Sequence, residues 1–417
     1  YQLRHSVHKN GTFGTRAQLR NVPHPTAGDK LLRNDRGRFT DITTQAGIYS
    51  PVTGYGLGIS TGDVNLDGYP DIYIGNDFHE DDFLYLNNGN GTFREVLNES
   101  IRHTSRFTMG TDIADFNNDG LPDIVSLDML PDDPKILKAS AAEDAPDVFQ
   151  FKLSYGYNYQ YARNNLQLNT GFRRDAQGIP VPYFTEMACY AGIYATDWSW
   201  SALMTDLDLD GYRDLYISNG IFRRCNDLDY MKFVEVDSVQ ARISGGEIGD
   251  NELKLTELMP RIKIPNYAYR NELGTKGTLT FTNVAKAWGM DIPSYSNGTV
   301  YTDLDNDGDL DLVVNNLDDP AFVFKNLTLD AQKPVDADRH YLKIKFAGSE
   351  QNPQGIGTKI VFDTRMGRHI AENFPTRGYQ SSVEPSVFAG LGDVSAVETL
   401  HVIWPDGRFQ TLHNVSA

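Results

Sequence analysis

Four nine-residue stretches concentrate the side chains of this sequence that could do chemistry. They are Asp63-Val-Asn65-Leu-Asp67-Gly68-Tyr-Pro-Asp71, Asp115-Phe-Asn117-Asn-Asp119-Gly120-Leu-Pro-Asp123, Asp206-Leu-Asp208-Leu-Asp210-Gly211-Tyr-Arg-Asp214 and Asp303-Leu-Asp305-Asn-Asp307-Gly308-Asp-Leu-Asp311. Each puts oxygen-bearing side chains at positions 1, 3, 5 and 9 and a glycine at 6, where the backbone must turn sharply. This is how a short loop wraps a hard cation. Calcium takes six to eight oxygens in a flexible shell, so four side chains, a backbone carbonyl and water complete it. Without a cation such a loop is strained, because two carboxylates about 4 Å apart repel by about 4 kcal/mol at an effective dielectric near 20. All sixteen side chains are expected ligands, and about four calcium ions are expected in the chain.

The competing pattern is the EF-hand, which requires a bidentate Glu at position 12 and flanking helices. Position 12 is Ile74, Ser126, Ile217 and Val314, and the residues after each loop read as strand: Ile72 to Ile74, Ile124 to Ser126, Leu215 to Ile217 and Leu312 to Val314. These are strand-loop-strand sites. One copy would read as an ordinary Asp/Asn/Gly turn. Four copies in one register point to metal.

Positioning the loops requires a repeat. Leu31 to Ile42 matches Leu84 to Val96, with weaker echoes at Leu166 to Phe184 and Tyr269 to Val284. Each echo reads as strand, Asn/Gly turn, strand. With the strands entering and leaving the calcium loop, one unit is four short strands. Successive loops begin 52, 91 and 97 residues apart, so the longer intervals carry insertions, at Pro131 to Arg163 and Gly220 to Tyr267. Apolar spacing within the second predicts short helices over Tyr230 to Ile243 and Asn251 to Ile262. Both insertions follow the strand leaving a calcium loop, so they are expected on one face and in contact. Four strands every ~50 residues is the signature of a β-propeller. Asp336 to His340 reads as a boundary, followed by strands at Tyr341 to Phe346, Thr358 to Asp363, Thr399 to Trp404 and Phe409 to Leu412. The expected division is 1–338 for the propeller and 339–417 for a small β-sandwich-like domain, an all-β fold class.

The chain has 417 residues, 40% of them hydrophobic, and a formal net charge of −18. That charge argues against nucleic acid and anionic membrane surfaces. The fourteen carboxylates at ligand positions account for much of it; four calcium ions would add +8, leaving −10. No run reaches the ~18 apolar residues of a membrane span. With only Cys189 and Cys225 there is no disulfide framework; one bridge or two buried thiols are the alternatives. Weak calcium loops of this kind suit extracellular calcium, so an exported protein is expected. The chain opens at Tyr1 and residues 1 to 30, with His5, His8 and His24, read as the tail of a further repeat.

These pieces resemble a known family. Tyr55-Gly-Leu-Gly58 ahead of Gly62-Asp63, together with the four loops, resembles the FG-GAP/VCBS repeats of integrin-α-like propellers. Gly355-Ile-Gly357, Gly390-Leu-Gly392-Asp393 and Val402-Ile-Trp-Pro-Asp-Gly407 resemble an ASPIC/UnbV domain. The resemblance implies a seven-bladed calcium propeller whose further blades precede Tyr1 or lack the motif. It also implies a lipoprotein exposed on a Gram-negative outer membrane, held by a lipid anchor outside this chain. Its implied partner is a protein of an outer-membrane complex, such as a TonB-dependent nutrient transporter, or a glycan or peptide ligand.

The sequence contains no Gly-x-Ser-x-Gly elbow, no His-Glu-x-x-His and no phosphate loop. The reading is therefore a non-enzymatic binding or scaffold protein. The alternative class is a carbohydrate-active enzyme, since some polysaccharide lyases are built on similar propellers. Two aromatic groups are candidate contacts: Tyr155, Tyr157, Tyr159 and Tyr161, which alternate, and Trp198 with Trp200, which are expected in the core.

Overall fold

The computed structural model describes residues 15–23, 28–77, 80–141, 144–236, 255–329 and 339–417. His5, His8, His24 and the 336–338 part of the expected boundary lie outside them. Each nine-residue loop joins the first two strands of a sheet whose strands follow one another in chain order. The first unit comprises Gly56–Gly62, Asp71–Asn76, Phe83–Asn87 and Phe93–Glu95. The second comprises Thr111–Ala114, Asp123–Ser126, Asn165–Arg174 and Pro180–Glu186, and the third Ser199–Thr205, Asp214–Asn219, Tyr267–Asn271 and Phe281–Asn283. The fourth has three strands, Ser296–Thr302, Asp311–Asn316 and Phe322–Phe324. All pairings within these units are antiparallel. The hairpin after each loop therefore belongs to that loop's own sheet. The preceding hairpin, Leu32–Asp35 with Arg38–Asp41, stands as a separate two-stranded sheet.

The units stack face to face through apolar side chains. Val64, Tyr73, Leu84 and Leu86 of the first meet Ile113, Ile124, Val181 and Phe184 of the second. Phe116, Val125 and Leu166 continue into Met204, Leu215, Ile217 and Phe281 of the third, and Leu203 and Tyr216 into Leu312 and Val314 of the fourth. The strands that leave the second and third loops are buried on both faces, which explains their unbroken apolar runs. The first strands of successive units lie side by side.

The insertions emerge at the other end of the second strands, between Ser126 and Asn165 and between Asn219 and Tyr267. Within them stand helices Pro134–Ala139, Pro146–Ser154 and Leu228–Val234. The helix predicted over Tyr230 to Ile243 thus begins two residues earlier, capped by the Asp227 carboxylate on Tyr230 N, and this helix ends already at Val234; residues 237–254 lie outside the described ones. The two insertions meet: Ser140 bridges Asp227, and Ala141 N donates to Asn226 O at 2.8 Å.

After the fourth unit come His340–Lys345 paired with Ser386–Gly392, and a second sheet in the order Gly367–Glu372, Lys359–Thr364, Ala396–Ile403, Phe409–Ser416. Leu342 and Val387 of one sheet share a core with Ile360, Phe362, Leu400 and Val402 of the other. Strands 367–372 and 386–392 carry mixed polar and apolar side chains and have no clear sequence alternation.

Candidate metal centres and the surface that covers them

The four loops share one backbone conformation, and the first three are alike down to single hydrogen bonds. Position 4 is left-handed in all four, at Leu66 (φ 56°), Asn118 (57°), Leu209 (55°) and Asn306 (59°), and the glycine at position 6 follows suit at 88° to 101°. A leucine in this region costs about 1–2 kcal/mol, so the surrounding bonds hold the loop against its own preference. Those bonds are visible. In the first loop Gly68 N donates to Asp63 Oδ2 at 2.8 Å, Asp67 N to Asp63 Oδ1 at 3.0 Å and Tyr69 N to Asp67 Oδ1 at 2.9 Å. The second and third loops repeat all three.

Position 9 differs in kind from positions 1, 3 and 5. Asp71, Asp123, Asp214 and Asp311 are each at most 2% exposed. One carboxylate oxygen of each accepts the backbone N–H of position 2, from Val64, Phe116, Leu207 and Leu304 at 2.8–3.1 Å. The other accepts the backbone N–H of an asparagine in or just after the third strand: Asn87, Asn169, Asn271 and Asn326, at 2.8–2.9 Å. Position 9 therefore clamps the loop to its own sheet, beyond the ligand role expected from spacing.

Those four asparagines were not predicted as site residues. Their side-chain amides donate to the position-8 carbonyl of their own loop, on Pro70, Pro122, Arg213 and Leu310 at 3.0–3.2 Å. Three reach further, to the position-2 carbonyl of the preceding loop: Asn169 to Val64, Asn271 to Phe116 and Asn326 to Leu207, at 3.2, 2.9 and 2.7 Å. One side chain thus ties neighbouring loops together. The signal was present in the Asn of Leu84-Tyr-Leu-Asn87 and its echoes, which reads as a turn residue because its amide partners are far away in sequence.

Positions 1, 3 and 5 converge. Carboxylate oxygens of Asp206, Asp208 and Asp210 lie within 4.8 Å of one another, as do those of Asp303, Asp305 and Asp307. In the first two loops the central group is the amide of Asn65 or Asn117, which donates to Asp67 Oδ2 at 2.8 Å or Asp119 Oδ2 at 2.9 Å. The donor set fits a hard cation, and Asp303 Oδ1 supports this independently: it is buried and accepts no hydrogen bond. Asp309, fully buried beside Asp307 and with Oδ1 also unpartnered, adds a fifth carboxylate to the fourth loop that the four-position pattern omits. Burial pushes Asp71 up to about 8, aided by the charges of Asp63 and Asp67, and pushes Asp115 to about 6 and Asp210 to about 7. Asp123, Asp206 and Asp214 go well above the carboxylate range for the same reason. Dry, mutually repelling carboxylates call for a positive partner.

Part of that charge comes from the chain itself. Lys359 Nζ lies 2.5 Å from Asp63 Oδ2 and 3.5 Å from Glu372 Oε1, while Glu372 Oε2 accepts Asp63 N at 3.0 Å. Lys343 Nζ lies 3.5 Å from Asp303 Oδ2 and 3.2 Å from Glu384. Arg368 N donates to Asn118 O at 2.9 Å, and Gly392 N to Leu209 O at 3.1 Å. The C-terminal sheets thus lie across all four loop ends. From them an arm, closed by Val383 N on Pro375 O at 2.8 Å and a Thr376-Ser382 bridge, runs in among the first strands of the units. Arg377 meets Asp112 at 2.7 Å, Tyr379 N donates to Ser201 Oγ at 3.1 Å, and the Tyr379 ring lies 4.9 Å from Trp200. Gly378, at φ 73°, must be glycine: a Cβ there would stand 2.4 Å from Ser201 Oγ.

The remaining candidates resolve as follows. Trp198 is buried against Phe107, Met109 and Met129, as expected, whereas Trp200 is half-buried and packs on the C-terminal arm. The tyrosines pack on the first insertion's helix, with Tyr155 4.4 Å from Phe151 and Tyr161 6.0 Å from Phe149; Tyr159 is exposed. Cys189 and Cys225 are free and exposed, not buried or bridged. A second acidic group, Glu80, Asp81 and Asp82, is sealed from solvent and paired with Arg16, Asn158 N and Tyr73. It offers no open cleft.

Residues 63–126 match the family model of the FG-GAP-like repeat, and residues 348–417 that of ASPIC and UnbV. Both modules are present. The chain is similar to cartilage acidic protein 1 of Homo sapiens, 23% identical over 373 residues, and of Mus musculus, 24% identical over 375 residues. The same protein of Xenopus tropicalis is 23% identical over 382 residues. These alignments cover 88–89% of this chain but only 43–45% of the relatives' length. The matched FG-GAP-like segment begins at Asp63 and ends at Ser126, so it takes in the first two loops and the strand that leaves each.

Proposed function

We propose that this chain is a non-enzymatic, calcium-stabilised propeller acting outside the cell as a binding or scaffold subunit. The observation that carries the reading is that four loops share one backbone conformation and one clamp and place oxygen-bearing side chains at the same positions, with the C-terminal sheets seated across all of them. All sixteen loop side chains are assigned to the metal sites, positions 1, 3 and 5 as the converging set and position 9 as the buried clamp. The division at 338 and 339, a ring of seven blades and about four ions belong to the same proposal. Among the described residues no helix is long and apolar enough to cross a membrane. The finer placement, at a Gram-negative outer-membrane surface beside a TonB-dependent transporter, rests on the resemblance of the paired modules; a glycan or peptide is the alternative ligand.

Two measurements test this. A ligand that binds only the folded state at 100 times its Kd stabilises it by about 2.7 kcal/mol, so chelation should lower the melting temperature measurably. An unchanged melting curve removes the calcium reading. Isolation of the protein with its neighbours from the native membrane, followed by mass spectrometry, should return a stoichiometric partner; recovery of the chain alone speaks against the scaffold role.

A further inference from the structure

Three of the four position-1 aspartates are touched by the C-terminal sheets, and they are touched differently. At the two ends of the array the contact is an ammonium, Lys359 on Asp63 and Lys343 on Asp303, each steadied by a glutamate of the C-terminal sheets, Glu372 or Glu384. Between them no ammonium sits on the position-1 aspartate, although Arg339 favours the charged forms of Asp208 and Asp210 in the third loop. The backbone of Gly390 lies so close to Asp206 that a Cβ would stand 1.9 Å from its Oδ2, and the second loop receives the Arg368 N–H with the stem of that arginine over Gly120.

From this we propose that the C-terminal sheets form a lid whose lysines oppose cation binding at the first and fourth loops, so that calcium loading and lid docking weaken each other. The inference rests on the calcium reading of the loops. A lysine within 2.5 Å of one oxygen of Asp63 leaves the ammonium and a cation on the other oxygen about 5 Å apart, where like charges repel. The coupling is reciprocal by necessity: whatever the docked lysine takes from cation affinity, the cation takes from docking. The consequence reaches the arm. Glu372 is the last residue of its strand, and the arm that begins at Pro375 carries Arg377 and Tyr379 to Asp112, Ser201 and Trp200. Loosening Glu372 and Lys359 therefore loosens the root of the arm.

The test is a calcium titration of the full chain by calorimetry, with ion counting by native mass spectrometry, on wild type, Lys359→Met, Lys343→Met and Lys359→Arg. Each methionine variant should bind the same number of ions with one site about tenfold tighter, the ordinary scale of coupling between sites. Lys359→Arg, which keeps the charge, should titrate like wild type. Hydrogen exchange over 374–384 should rise when wild type is loaded. Methionine variants of unchanged or weaker affinity overturn the proposal while leaving the calcium sites standing. A wild type that binds no calcium overturns both. Should Lys359→Met fail to fold, Lys343→Met at the other end of the lid decides the matter alone.

Discussion

A single carboxylate in these loops does one of two things, depending on where its oxygens point. Asp307 faces the converging set, and Asp307→Ala should lower the calcium count by one ion with the remaining units intact, because repeats of this kind interact mainly with their neighbours; native mass spectrometry reads this directly. Asn169 holds two buried carbonyls, on Val64 and Pro122, with one amide. Asn169→Ala leaves them unpaired, and a stability loss of about 1–3 kcal/mol is expected, read as a lower urea midpoint. Protonation supplies a third test. In the chelated protein Asp71, Asp115 and Asp210 are raised in the folded state, to about 8, 6 and 7, against about 3.9 when unfolded. The folded chain then binds more protons than the unfolded one between about pH 4 and pH 8, so chelated stability should rise as the pH falls through this window. With saturating calcium the slope should reverse or vanish, since protons then compete with the ion. Melting temperatures at pH 5.5 and 8, with and without chelator, show the sign.

At the scale of elements, the insertions and the C-terminal arm are what distinguish this chain from a bare repeat. The insertions meet where Ser140 bridges Asp227, at the strand ends remote from the loops, and loops on a rigid scaffold are where binding usually resides. Part of the second insertion is structural, however. Arg224, 2% exposed, holds both oxygens of Asp197 at 2.7 Å, and its removal would leave a buried charge unpaired. Replacing 231–258 by a short Gly/Ser bridge while keeping Arg224 and Asn226 should abolish partner capture and leave calcium content and melting unchanged. Retained capture would move the binding surface elsewhere.

In the whole molecule, the loops form one face because the same strand-to-strand connection recurs in every unit, and the asparagine amides stitch each loop to the one before it. The lid closes over that face and its arm enters among the first strands. Charge is consistent with the arrangement: the acidic loops of a chain with net charge −18 face the lysines of the C-terminal sheets.

Spacing alone determined the four loops, their strand-loop-strand setting, the repeat and the topological site of both insertions. Asp-x-Asp/Asn-x-Asp-Gly-x-x-Asp is a local pattern, and local hydrogen bonds within nine residues enforce it. What spacing left open depends on partners distant in the chain. Asp63 and Lys359 are 296 residues apart, Asn169 and Val64 are 105 apart, and Arg377 and Asp112 are 265 apart. An asparagine that serves as a turn residue in sequence becomes a bridge only when a neighbouring unit packs against it. A lysine becomes a rival to a cation only when the lid comes down.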